Sequence, residues 1–272
     1  SNNWAISGKR SKSGNPILSN DPHLGLNLPS IWYMMHLNSP NLNVMGVTIP
    51  GAPGIILGFN DNISWGATNG YDDVMDWYDI TFKDSTQTEY QYKNKWHPTR
   101  KEVEKIKIKG QPTFYDTITY THHGPVVWDH LNQTPALGKS QVRHGVRQTA
   151  EGRALRWLAH DASNEMRALY MVNHAENYVQ FVNALETYTC PGQNFVYADV
   201  NGNIAIWHSG NQPAKWDGQG MLIMDGNNPI YDWQATIPHR QKPHILNPKR
   251  GYVSSANQHV TDEDYPYFLS SF

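Results

Sequence analysis

Gln193-Asn194-Phe195-Val196-Tyr197-Ala198-Asp199-Val200-Asn201-Gly202-Asn203-Ile204 holds the clearest local structure in the sequence. Residues 194–199 and 204–208 are rich in β-branched and aromatic side chains, which suit a pleated surface. They are joined through Val200-Asn201-Gly202-Asn203. The Asn-Gly tip supplies the backbone freedom that a tight hairpin turn requires. An antiparallel hairpin is therefore expected over 194–208. The segments upstream of 77 follow the same pattern. Short apolar runs at 4–7, 17–18, 31–37, 44–49, 55–59 and 63–68 are punctuated by Asn20-Asp21-Pro22-His23, Pro50-Gly51-Ala52-Pro53-Gly54 and Asn60-Asp61-Asn62. Repeated short strands with Gly, Pro and Asn breaks predict layered antiparallel sheet.

Further along, Tyr90-Gln91-Tyr92 and Lys95-Trp96 flank Lys93-Asn94, a second hairpin signature. Residues 101–109 alternate Val103, Ile106 and Ile108 with Lys and Glu, the pattern of a half-buried strand whose lysines face water. Residues 114–120 read as another strand, ending at Thr121-His122-His123-Gly124-Pro125. The helical signal lies between 164 and 188, where Leu169, Val172, Tyr178, Val179, Phe181, Val182 and Leu185 recur at three- and four-residue steps. Asn173-His174-Ala175-Glu176 has capping-box spacing, which predicts a second helix starting there. Thr189-Cys190-Pro191-Gly192 ends it, and residues 212–272 read as loop-rich.

Composition bounds the function classes. With 272 residues the chain can hold one large core or two ordinary domains. Charged residues at 17% beside 12% aromatics exclude a disordered polyelectrolyte. A formal net charge of -2 gives no pull on nucleic acid or acidic membranes, and the short apolar runs exclude a membrane-spanning helix. The single cysteine, Cys190, excludes an internal disulfide framework. The chain opens on Ser1 without a basic and then apolar leader, as after removal of an initiator Met or cleavage of a larger precursor.

Ser1 is the sharpest chemical candidate. A serine hydroxyl is a weak nucleophile that needs a base. At the N-terminus it carries one, because the α-amino group gives up its proton more readily than other protein amines. The bland alternative is an incidental terminus.

Ser1-Asn2-Asn3-Trp4-Ala5-Ile6 and residues 14–24 (Gly-Asn-Pro-Ile-Leu-Ser-Asn-Asp-Pro-His-Leu) closely resemble the β-subunit N-terminus of the penicillin acylase family. The resemblance continues through residues 50–54, Gly58-Phe59-Asn60, residues 63–69 and Asp72-Asp73. It reappears at His123-Gly124-Pro125-Val126, Arg156-Trp157, residues 193–204 and Gly251-Tyr252-Val253-Ser254-Ser255-Ala256-Asn257-Gln258. Members are N-terminal nucleophile (Ntn) hydrolases that cut their own precursor to expose a Ser. The resemblance implies an α+β fold, the four-layer αββα sandwich with antiparallel sheets. It also implies that residues 1–272 form the N-terminal portion of an acylase β subunit, truncated at its C-terminal end.

The implied activity is an amidohydrolase of the penicillin, cephalosporin and acyl-homoserine-lactone acylase kind. It would hydrolyse a linear amide through an acyl-enzyme on Ser1. The backbone N–H of Asn69 and the side chain of Asn257 are the implied oxyanion donors; each also reads as an ordinary loop Asn. His23 stands where many such acylases have a His that could bond Ser1, and Asn194 resembles an Asn that orients backbone near the nucleophile. The acyl pocket falls on Leu24, Ile56, Leu57 and Ala67. Those side chains favour an aliphatic or mixed acyl group, and position 57 lacks the Arg that holds a glutaryl carboxylate. Asp73 and Asp76, with the carbonyls of Met75 and Pro213, match calcium ligands; Asp72-Asp73 alone reads as a solvated turn. No organic cofactor is implied. The implied partners are an α subunit from the same precursor, the rest of the β subunit and a small acyl amide, with no nucleic acid or membrane, in the periplasm or outside the cell. The alternatives are an aromatic-rich β-sheet ligand-binding module without catalysis, or an inactive family member.

Overall fold

The computed structural model describes residues 1–129 and 151–269. The hairpin Gln193–Asp199 and Ile204–Ser209 forms as expected, and it lies inside a seven-stranded sheet. Across that sheet the order is His244–Leu246, Ile204–Ser209, Gln193–Asp199, Ile63–Asn69, Leu57–Asn60, Leu42–Thr48 and Tyr33–Ser39. Every pairing in it is antiparallel. The runs read from the sequence at 31–37, 44–49, 55–59 and 63–68 are thus strands of one sheet, shifted by one or two residues.

The sheet is covered on both faces, and side-chain alternation shows how. Phe195 and Tyr197 point one way with Ile63, Trp65 and Ala67, into a core closed by Ala168, Val172, Phe181, Val182 and Leu185 of the helical segment. Val196 and Ala198 point the other way, against Ala5 and Val253. These last two belong to a three-stranded sheet ordered Tyr252–Ser255, Asn2–Ile6 and Ile17–Asp21. Helices, seven-stranded sheet and three-stranded sheet therefore stack as successive layers. Trp65, Phe181 and Tyr197 are at most 1% exposed, and each such burial contributes about 1.5–3 kcal/mol or more.

The helices span Glu165–Asn173 and Tyr178–Ala184. The second begins later than its capping-box reading. Asn173 is drawn away, because its side chain bridges the N–H and carbonyl of Ile55 at 2.7 Å each. The cap is Asn177, whose Oδ1 accepts from Gln180 N–H at 3.0 Å, while Gln180 Oε1 accepts from Glu176 N–H at 2.8 Å. The capping chemistry is right, but four residues further on.

A six-stranded sheet runs Arg100–Ile106, Phe114–Thr121, Gly124–Asp129, Glu151–Trp157, Met75–Thr81 and Met224–Asp225, with its own core around Tyr78, Ile80, Phe82 and Ala154. The last pairing is parallel. The second hairpin forms over Glu89–Tyr92 and Lys95–Pro98, with Lys93 and Asn94 both at positive φ. The alternating segment at 101–109 does form a strand, but at the edge of the sheet. Val103, Ile106 and Ile108 remain exposed, so it is not half-buried against the described residues. The stretch after 212 is loop-rich as expected, apart from short strands that include Tyr252–Ser255; residues 270–272 of that stretch lie outside the described residues.

Candidate active site

The ladder between Asn2–Ile6 and Tyr252–Ser255 sets Asn3 opposite Ser255. Continued two residues, that register brings Asn257 opposite Ser1. The Ser1 amine donates to Asn257 Oδ1 at 2.8 Å. On the other side, the backbone N–H of His23 donates to Ser1 Oγ at 3.1 Å. The hydroxyl and amine of Ser1 are thus held by separate partners, one on each flanking segment. Asn257 sits at φ 64°, a left-handed conformation that Asn tolerates better than most residues.

Asn257 Nδ2 donates to the Asn69 carbonyl at 2.6 Å. Asn257 thus bridges the Ser1 amine and the Asn69 carbonyl. The Gly70 N–H bonds the Gly192 carbonyl at 2.9 Å. Antiparallel alternation then turns the Asn69 N–H and C=O away from the strand Gln193–Asp199, toward Asn257. The Asn69 side chain accepts from Tyr71 N–H at 2.9 Å, so it also builds the turn.

His23 is placed differently from expectation. Its ring faces Asp21 Oδ2 at 2.7 Å, and the side chain is 55% exposed. Only its backbone reaches Ser1, because the strand Ile17–Asp21 ends just before it and directs the main chain, not the imidazole, at the hydroxyl.

Beneath the site lies a buried polar network. Asn194 Nδ2 donates to Ser255 Oγ at 3.1 Å and lies 3.4 Å from the Asn69 carbonyl, as expected of a residue that orients backbone. Thr68 Oγ1 donates to Ser255 Oγ at 3.0 Å, and Asn3 Nδ2 to the Asn194 carbonyl at 2.9 Å. Asn194 Oδ1 meets His208 Nδ1 at 2.6 Å, and His208 Nε2 meets Asp72 Oδ1 at 2.6 Å. Gln212 Nε2 holds the other Asp72 oxygen at 2.7 Å. Asp72 is therefore no solvated turn residue: its side chain is 4% exposed. A Cβ on Gly192 would lie 1.6 Å from Asp72 Oδ2, so only glycine fits there. Sequence reading missed His208, Gln212 and Ser255; the only available signal was that His208 ends a strand whose partner carries Asn194. His208→Ala should cost about 1–3 kcal/mol, because the buried Asp72 and Asn194 side chains would each lose a hydrogen-bond partner. A denaturant melt of the whole protein measures this.

Three of the four expected pocket residues share one cluster, and the fourth, Leu24, lies outside it. Leu57 and Ala67 are core residues, Ile56 packs against that core, and Leu24 is half exposed. A cavity of about 530 Å³ opens instead beside Asn257, lined among others by Gly70, Tyr71, Asp72, Val260 and Leu269.

Of the expected calcium ligands, Asp73 and Asp76 come together, but around an ammonium. Lys215 Nζ lies 2.8 Å from Asp73 Oδ2 and 2.9 Å from Asp76 Oδ1, with its side chain 1% exposed. Trp233 Nε1 donates to Asp76 Oδ2 at 2.5 Å. Burial pushes the Asp73 carboxyl up, and Lys215 opposes that shift. Calcium takes about six to eight oxygen ligands, and here the carboxylates face an internal cation. The residues do not fit calcium: the sequence matched the acids but left out Lys215. Adding calcium should leave the melting temperature of the whole protein unchanged. Lys215→Met should lower stability by about 3–5 kcal/mol by leaving the buried Asp76 carboxylate without its cation.

The penicillin amidase family model matches residues 1–272, the whole chain. The chain belongs to the penicillin amidase family. Relatives include the acyl-homoserine lactone acylase QuiP of Pseudomonas aeruginosa, 30% identical over 272 residues, which are 100% of this chain and 32% of that protein. The penicillin acylase 2 proenzyme of Pseudomonas sp. strain SE83 is 27% identical, over 99% of this chain and 33% of its own length. The penicillin G acylase of Escherichia coli is 27% identical, over 98% of this chain and 29% of its own length. This family member therefore spans about a third of the length of the curated relatives it matches. The fold is that of the thermostable penicillin G acylase from Alcaligenes faecalis, with TM-score 0.82 and 24% identity over 99% of this chain and 47% of that one. The α+β fold with antiparallel sheets is thus as the resemblance implied.

Proposed function

We propose that this chain carries the nucleophile of an amidohydrolase that releases an acid from a linear amide through an acyl-enzyme on Ser1. The observation that supports it most is the pair of contacts on one residue, Ser1 amine to Asn257 Oδ1 and Ser1 Oγ to His23 N–H. In the neutral form the amine takes the hydroxyl proton as Oγ bonds to the amide carbon. Negative charge then develops on the former carbonyl oxygen, facing the Asn69 N–H and the Asn257 Nδ2 group. The C–N bond breaks as the proton passes to the leaving amine. Water, losing a proton to the same α-amino group, then cleaves the ester and restores the hydroxyl.

The apolar side chains around the 530 Å³ cavity, Val260 and Leu269 among them, favour an aliphatic acyl group. The remaining walls fall to an α subunit and further β sequence, consistent with Leu24, Leu26, Leu28, Tyr33 and Met34 being exposed on one stretch of chain. None of the helices among the described residues is long and apolar enough to cross a membrane, and the periplasm or exterior is the proposed compartment. The reading as a binding module without chemistry is not favoured by the family match. The test is hydrolysis of a series of acyl p-nitroanilides by the whole protein. Release of p-nitroaniline that improves with aliphatic chain length supports the reading; no release from any member of the series argues against it.

A further inference from the structure

Away from Ser1, two imidazoles and a carboxylate converge. His123 Nε2 lies 3.0 Å from the Gly226 carbonyl. A carbonyl only accepts, so Nε2 carries the hydrogen and Nδ1 is left bare. That bare Nδ1 faces Asp232 Oδ1 at 3.9 Å. His122 Nδ1 lies 2.9 Å from Tyr90 OH, which also accepts from the His122 N–H at 3.3 Å. His122 Nε2 lies 3.6 Å from the same Asp232 Oδ1. Asp232 Oδ1 is buried and has no hydrogen-bond partner among the described residues. A buried carboxylate oxygen with no donor is unfavourable unless a cation lies beside it.

We propose that His122 Nε2, His123 Nδ1 and Asp232 Oδ1 bind a zinc ion. The three ligand atoms all lie within 4.8 Å of one another. Tetrahedral zinc, with bonds of about 2.0–2.1 Å, sets its ligand atoms about 3.4 Å apart, so closure needs movements of only a few tenths of an ångström for the two carboxylate contacts. Two nitrogens and one carboxylate oxygen suit zinc over calcium or magnesium, which favour oxygen alone. Each ligand already has the outer partner such sites use: Tyr90 for His122, Gly226 for His123, and Tyr92 OH, 2.5 Å from Asp232 Oδ2. The His123 ring is further fixed by stacking on Tyr78 at 3.8 Å. His122 is 32% exposed and lines a cavity of about 500 Å³ with Arg100, Arg156 and Asp161, which offers an entry path and room for water as fourth ligand.

The test uses the whole protein, stripped with chelator, desalted and titrated with zinc chloride in a calorimeter, with bound metal measured independently after gel filtration. One zinc per chain is expected. Asp232→Asn and His122→Asn should each weaken binding by more than about 100-fold, and Tyr92→Phe, which loses only an outer partner, by about 10–100-fold. Circular dichroism checks that the variants fold. If Asp232→Asn does not, His122→Asn decides, because its ring is partly in solvent. Retention of no zinc by the wild-type protein would overturn the proposal, leaving a pair bridged by a proton. Unchanged binding by the folded variants would overturn it too.

Discussion

Ser1→Ala should lower amide turnover by about 10⁴–10⁶-fold, the scale seen when a hydrolase loses its nucleophile. The variant is made with residue 1 exposed directly, so that precursor cleavage does not confound the result. Its fold should survive. The Ser1 hydroxyl accepts one hydrogen bond, from His23 N–H, and sits at a part-buried terminus. Losing that bond costs about 1 kcal/mol. The α-amino group and its contact with Asn257 remain in the variant, so any loss isolates the hydroxyl. Activity within tenfold of wild type, on a protein with an unshifted melting curve, would remove Ser1 from the chemistry.

Asn257→Ala should lower kcat by about 10²–10³-fold with little change in KM, the usual cost of one oxyanion donor. Asn257 has two functions, however: Oδ1 accepts from the Ser1 amine and Nδ2 donates to the Asn69 carbonyl. Asn257→Asp separates them. An aspartate keeps the acceptor for the amine but loses the donor and adds negative charge where the oxyanion would form. If donation matters, the Asp variant is as slow as the Ala variant or slower. If Asn257 only positions the amine, the Asp variant keeps most of the activity. Steady-state kinetics on the same anilide substrate decide between these outcomes.

The layered antiparallel fold was legible because its signals are local. The Asn-Gly hairpin, the Gly-Pro breaks and the short apolar runs each fix a strand without outside help. The αββα assignment came from resemblance, since period-2 patterning cannot say which sheet faces which. Helix periodicity placed the helical segment correctly. The second cap was misplaced because Asn173 is engaged by Ile55, a contact between residues far apart in sequence. Ser1, Asn69 and Asn257 came as a group from the resemblance; strand register sets Asn257 beside Ser1, and the Asn257 side chain reaches Asn69. His23 was harder, since residue identity does not reveal that its backbone rather than its ring reaches Ser1. Asp72 alone read as a solvated turn, and His208 and Lys215 were not singled out, for one common reason. A charged residue looks solvated in a sequence, and only the fold shows the opposite charge buried against it.

The central claim is that Ser1 is an activated nucleophile. The most direct measurement is intact mass after incubation with phenylmethylsulfonyl fluoride, comparing the whole wild-type protein with Ser1→Ala. The account predicts a single sulfonyl adduct, mapped to residue 1 by peptide mass and absent from the variant. An adduct elsewhere, or none on folded wild-type protein, would contradict it.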